Sequence, residues 1–172
     1  FDLDSSDLEI ARAETLLLVE YLSQYISDEA LRVYFSGGKG FHIECEAISL
    51  NISPSDDLPG IFRFIAKRLT DDLSLTSTDL VVYDQRRMWR LANSQHQRTG
   101  LYKVECLQLL RDSQSIQPIL DYATEPRPDE IPEQSFDPKA NRSFRELALQ
   151  YDQHKIIKAD KSDLLARFLE HG

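Results

Sequence analysis

The sequence is poor in cysteine. Cys45 and Cys106 are its only two. Neither belongs to a Cys-x-x-Cys pair or to the paired-histidine spacing of a tetrahedral zinc site, so no zinc is expected, and both thiols are expected to be reduced and buried. Long apolar runs are missing too. The longest, such as Leu16-Leu17-Leu18-Val19, fall far short of the roughly 18 residues that a membrane helix needs. No signal-peptide pattern opens the chain, so a cytoplasmic protein with no membrane partner is expected. Net positive charge is also lacking. At −9, the chain as a whole is unsuited to the general grip on nucleic acid that clustered Lys and Arg provide. Glycine is scarce, six in 172 residues, yet Gly37, Gly38 and Gly40 fall within one four-residue stretch.

What is present suits one domain of ordinary size, since 41% hydrophobic residues can build a core. The charge is unevenly spread. Residues 1–60 carry 12 acidic and 3 basic side chains, whereas residues 61–112 carry 6 acidic and 9 basic. An acidic block beside a basic one can hold a metal and a phosphate together, although solvated faces explain most such charges.

The first residues read as the end of a strand. Ser6 as N-cap and Glu9 three positions on then open a helix to about Ile26. Alternation in "LRVYFS" and "FHIECEAI" predicts two half-buried strands joined by a glycine turn. Leu58, Ile61, Phe62, Ile65 and Leu69 form a helical stripe, and a further strand is expected around Leu80–Tyr83. These elements give an α+β fold, an RRM-like sheet with helices packed on one face, over residues 1–124. Residues 125–138, with Pro126, Pro128, Pro132 and Pro138, read as a linker. Residues 139–172 read as a tail of two short helices, around Phe144–Tyr151 and Ser162–Leu169, that docks on the sheet domain or on another protein.

Three groups could carry chemistry. Asp2 and Asp4, at i and i+2 of a strand, leave the same face roughly 6.6 Å apart at about 3.3 Å per residue. Such a pair suits Mg²⁺ or Mn²⁺, but Asp-x-Asp at a strand end is also a common solvated turn or helix cap. The second group is Ser36-Gly37-Gly38-Lys39-Gly40-Phe41-His42. Its backbone N–H groups, a hydroxyl, an ammonium and an imidazole could cradle a phosphate between two strands; the alternative is a plain hairpin turn. The third group is basic. Asp79 precedes an apolar run, and Arg86, Arg87, Arg90, His96, Arg98 and Lys103 follow it, a donor density that suits phosphates. The other reading is a basic surface with Trp89 as a core anchor.

In this order the three groups resemble the motifs of the archaeo-eukaryotic primase superfamily, in particular its primase-polymerase branch. The resemblance covers residues 1 to about 106. It rests on Phe1-Asp2-Leu3-Asp4, on Ser36 to His42, and on Asp79-Leu80-Val81-Val82-Tyr83 followed by Arg90-Leu91-Ala92-Asn93-Ser94 and His96-Gln97-Arg98-Thr99-Gly100-Leu101. It implies that Asp2, Asp4 and Asp79 bind two catalytic Mg²⁺ or Mn²⁺ ions, and that Ser36, Gly38, Lys39 and His42 hold the triphosphate of a nucleoside triphosphate. Arg90, Ser94, His96 and Arg98 would add nucleotide or template contacts. The activity implied is that of a template-dependent primase or polymerase on single-stranded or primed DNA. The alternatives are a gap-filling or translesion repair polymerase that does not prime, and a catalytically idle nucleic-acid-binding or assembly module. A helicase or another replication or mobile-element protein is the partner expected for the tail. The sequence departs from the pattern at Ala92, where this branch often has Pro. It also lacks the zinc element of many relatives, and the N-terminal module that usually precedes the Asp-x-Asp is expected to lie outside the numbered chain.

Overall fold

Alternation in short apolar runs sets the sheet. The computed structural model describes residues 1–84, 86–128, 144–155 and 157. In it β1 (Asp2–Asp4), β2 (Leu31–Phe35), β3 (Gly40–Cys45) and β4 (Val104–Glu105) form one antiparallel sheet in the order β1-β3-β2-β4. Directly paired residues share a face. The register therefore lines up Leu3, Phe41, Phe35 and Val104 on one face and Asp2, His42, Tyr34 and Glu105 on the other. The first row is buried in the core. The second carries Asp2 and His42, two of the candidate site residues.

Helix α1 (Leu8–Leu22) buries Ala11, Thr15, Leu18, Val19 and Leu22, a helical stripe that packs against β1 and β3. Each leucine so buried contributes roughly 1.5–3 kcal/mol. Its cap is Asp7, whose Oδ1 accepts from the Glu9 N–H at 2.9 Å, rather than Ser6. It also stops at Leu22 and not near Ile26, although the Ile26 N–H still donates to the Leu22 carbonyl and the side chain remains in the core. Helix α2 (Leu58–Asp72) forms where its stripe predicts, with Pro59 in the first turn and Ile61, Ile65, Ala66 and Leu69 buried.

The expected strand at Leu80–Tyr83 is instead a single 3-10 turn, Leu80–Val82. The Asp79 side chain accepts from the Val81 N–H at 2.8 Å and curls the backbone, which leaves Val81 70% exposed. The fourth strand is Val104–Glu105, the start of the later apolar run. That run then turns into helices α3 (Leu107–Asp112) and α4 (Gln117–Tyr122). Helix α5 (144–155) inserts the buried Phe144 edge-on against Tyr25 at 5.9 Å. Its Tyr151 hydroxyl donates to Asp57 at 2.7 Å. Most of the linker, with Pro132 and Pro138, and the second tail helix around Ser162–Leu169 lie outside the described residues. Both cysteines are unpaired, Cys106 buried but Cys45 only partly so. Among the described residues no helix is long and apolar enough to cross a membrane.

Candidate metal and phosphate site

Strand β1 carries two of the three carboxylates, and its free edge recruits the third. On that edge the Asp4 N–H donates to the Ser77 carbonyl and the Asp79 N–H to the Asp2 carbonyl, both at 2.8 Å, with Leu3 bridging Thr78. Glu14 of α1 fixes this segment from below. Its carboxylate accepts from the N–H and hydroxyl of both Thr76 and Ser77 at 2.6–3.0 Å. Burial acts to raise the Glu14 carboxyl, but these hydrogen bonds outweigh it and hold the group below the ordinary glutamate range.

As a result, Asp2, Asp4 and Asp79 each place one oxygen within 4.8 Å of the others, a cluster that could hold a metal ion. The electrostatics point the same way. Asp2 is 6% exposed, and its buried Oδ1 has no hydrogen-bond partner. Burial, and then the charges of Asp4 and Asp79, push its carboxyl up to about 6. A carboxylate that is buried, unpartnered and crowded by two others is costly unless a cation joins it. Two cations stand at the margin, Lys39 at 3.1 Å from Asp4 and Arg87 at 4.0 Å from Asp79.

The glycine loop lies directly against this cluster. At Gly40 the strands approach so closely that a Cβ would collide with the Leu3 carbonyl and press on Asp4 Oδ1. Gly37 has φ +76°, a conformation that side-chain-bearing residues rarely adopt. Ser36 Oγ accepts from the Gly38 N–H at 3.3 Å, closing the turn. The ring of His96 packs on Gly38. Its Nδ1 accepts from the Arg98 and Thr99 N–H groups at 3.3 Å, which puts the ring proton on Nε2 and turns that donor toward the loop. Burial, then Arg90 and Arg98, keep His96 below its ordinary pKa and so neutral.

His42 sits between Asp2 and Tyr34 in the register. Burial first, then the Lys103 ammonium, lower its pKa to about 3. Its 3.7 Å approach to Asp2 is therefore a contact between a neutral ring and a carboxyl, not an ion pair. Trp89 meets the ring edge-on at 4.7 Å.

One cleft of about 220 Å³ brings together Asp2, Asp4, Ser36, Gly38, Lys39, His42, Arg90 and His96. Asp79 joins through the carboxylate cluster rather than through the cleft wall. Ser94 and Arg98 are not on that wall. The Ser94 hydroxyl donates to the Leu91 carbonyl at 2.6 Å, and Arg98 is exposed. The cleft also recruits Arg87, Met88 and Trp89. Trp89 is 40% exposed and lines the cleft wall, unlike the core anchor of the alternative reading. Lys103, counted in the basic run as a phosphate donor, is buried and paired with Glu44 at 2.8 Å. Glu14 gave no sequence signal, because a glutamate on a helix face is ordinary until the segment it clamps is known. Compared with family models, with curated proteins and with solved structures, the chain matches none.

Proposed function

We propose that the chain is the RRM-like catalytic core of a primase-polymerase of the archaeo-eukaryotic kind. In this reading it is a nucleotidyltransferase that joins nucleoside triphosphates on single-stranded or primed DNA in the cytoplasm. The observation that carries the reading is the cleft itself. A three-carboxylate cluster with an orphaned buried oxygen opens onto a glycine loop, a lysine, two arginines and two neutral histidines. A carboxylate trio beside neutral donors and cations suits a polyanion that arrives with divalent metal.

Asp2, Asp4 and Asp79 would hold Mg²⁺ or Mn²⁺, which when bound supplies a lowered pKa for the attacking 3′-hydroxyl and neutralises charge on the triphosphate. The protein's own part is positioning. Lys39, 62% exposed and paired with Asp4, is free to swing to the terminal phosphate once the carboxylates have a cation. Ser36 and the Gly38 N–H line the same turn, and the His96 Nε2–H is a neutral donor beside them. Arg90 lines the same cleft. Arg98, exposed outside the wall, would contact a template phosphate, and Ser94 supports the Arg90 segment through Leu91.

The test is incorporation of labelled nucleotides with Mn²⁺ or Mg²⁺ on primed and on unprimed single-stranded DNA. Asp79→Ala is expected to lower incorporation by about 100-fold or more while the fold survives, because it removes a metal carboxylate that stabilises transition-state charge. Wild-type rates in this variant would remove the basis of the proposal. Extension without initiation would assign the chain to the gap-filling kind.

A further inference from the structure

Lys103 is the one fully buried lysine or arginine among the described residues, 2% exposed. Burying an ammonium is costly unless its donors are met, and here each has a partner. Nζ donates to Glu44 Oε1 on β3 at 2.8 Å and to the Arg90 carbonyl at 3.0 Å, and it lies 4.5 Å from the centre of the Tyr34 ring on β2. The backbone of the same residue grips the same loop. Its N–H donates to the Ser94 carbonyl at 3.0 Å, and its carbonyl accepts from the Asn93 N–H at 2.7 Å.

Beyond these bonds and the pairing of Asn93 with the Arg127 backbone, the loop has little apolar anchoring. Met88 is 91% exposed and Leu91 79%, so the segment carrying Arg87, Trp89 and Arg90 has no leucine or methionine in the core. An apolar side chain at 103 could fill the space, but it could not bind a carbonyl. We propose that Lys103 is a positioning residue that fixes the Arg90 segment over the cleft, with Glu44 as the countercharge that keeps its ammonium in place. The effect on ligand rests on the nucleotide-site reading above. The effect on the loop does not.

Trp89 is the chain's only tryptophan and lies 6.0 Å from Lys103 Nζ, so its emission reports this loop. Trypsin cleavage after Arg86, Arg87 and Arg90 reports it a second way. In Lys103→Met the Trp89 emission should move to longer wavelength and cleavage at these arginines should quicken about ten-fold, equivalent to roughly 1.4 kcal/mol. Binding of a nucleoside triphosphate with Mn²⁺ should weaken by a similar factor, whereas binding of Mn²⁺ alone should not change. Adding Arg90→Ala should weaken triphosphate binding no further than Arg90→Ala does alone, and Lys103→Arg should restore most of the loss. Unchanged emission and cleavage in a folded Lys103→Met overturn the proposal, and so do additive losses in the double variant. If Lys103→Met does not fold, Glu44→Gln decides instead, since it removes only the countercharge: the same shifts in smaller measure support the proposal and their absence overturns it. Should the wild type bind no triphosphate, the nucleotide-site reading fails, while emission and proteolysis still judge Lys103.

Discussion

Asp2 shows how one residue can work against the fold in order to make a site. Its carboxyl is buried beside two others, and its pKa stands at about 6 against 3.8 for an ordinary aspartate. A carboxyl whose pKa is raised by folding leaves stability intact below 3.8 and removes it as pH rises through about 6. At pH 8, without divalent metal, Asp2→Asn should therefore melt about 5 °C above the wild type, because the amide carries no charge and can donate to Asp4 or Asp79. The gain should shrink at pH 5. Adding Mn²⁺ should reverse the order, since an ion that binds only the folded state stabilises it by mass action and the variant has lost a ligand. Thermal melts with EDTA and with Mn²⁺ make the comparison, and a variant less stable than wild type in EDTA at pH 8 would contradict the strain assigned to Asp2.

Between elements, the third carboxylate is placed by a clamp rather than by a strand. Glu14 on α1 holds Thr76 and Ser77, and this holds Asp79 beside Asp2. Replacing Glu14 by Gln removes a charged acceptor, a loss of about 1.5–3 kcal/mol, and should also weaken Mn²⁺ binding. The Glu14 carboxyl lies below its ordinary 4.5 in the folded protein. Its stabilisation is thus complete above 4.5 and fades as pH falls through the lower folded value. The gap in melting temperature between wild type and Glu14→Gln should be widest at neutral pH and close only well into acid; a gap independent of pH would count against the clamp. The same contrast explains what the sequence revealed. Strands β2 and β3 and helix α2 were legible because Val33, Phe35, Phe41 and Ile43, or Ile61, Ile65 and Leu69, repeat at the period of their element. Asp2, Asp4 and the glycine loop were legible as residue types at close spacing, whereas Asp79 was joined to the pair only through the family resemblance. Residues 76–83 were not, because their conformation is dictated by Glu14, 62 positions away, and by a side-chain cap at Asp79 that overrides the strand preference of Val81 and Val82. Lys103 was misread for a related reason. Its basic neighbours suggested a surface, while its carboxylate partner Glu44 sits 59 residues earlier.

Across the whole molecule, the acidic first block and the basic second one meet at the cleft, and the chain after Tyr122 turns back on both. Asn93 Nδ2 donates to the Arg127 carbonyl, and the Arg127 N–H donates to Asn93 Oδ1 at 2.7 Å. The Arg127 guanidinium lies 4.3 Å from the centre of the Tyr122 ring. The described start of the Pro-rich stretch thus braces the loop that Lys103 holds from the other side. Helix α5 seats Phe144 in the core and Tyr151 on Asp57, and Phe144 lines one cavity with Trp89 and Glu44. Two truncations separate these roles. A chain ending at Pro128 loses α5 and the Phe144 packing, worth roughly 3–5 kcal/mol, and should melt roughly 10 °C lower, with Trp89 emission moved by the opened cavity but the proposed triphosphate affinity kept. A chain ending at Glu125 loses the Asn93 brace as well. It should melt at much the same temperature as the first truncation, but with Trp89 emission at longer wavelength and weaker triphosphate binding, because the freed Asn93 amide loosens the segment that carries Arg90. Equal affinities in the two truncated chains would show that Arg127 does nothing for the site, and would leave the loop to Lys103 alone.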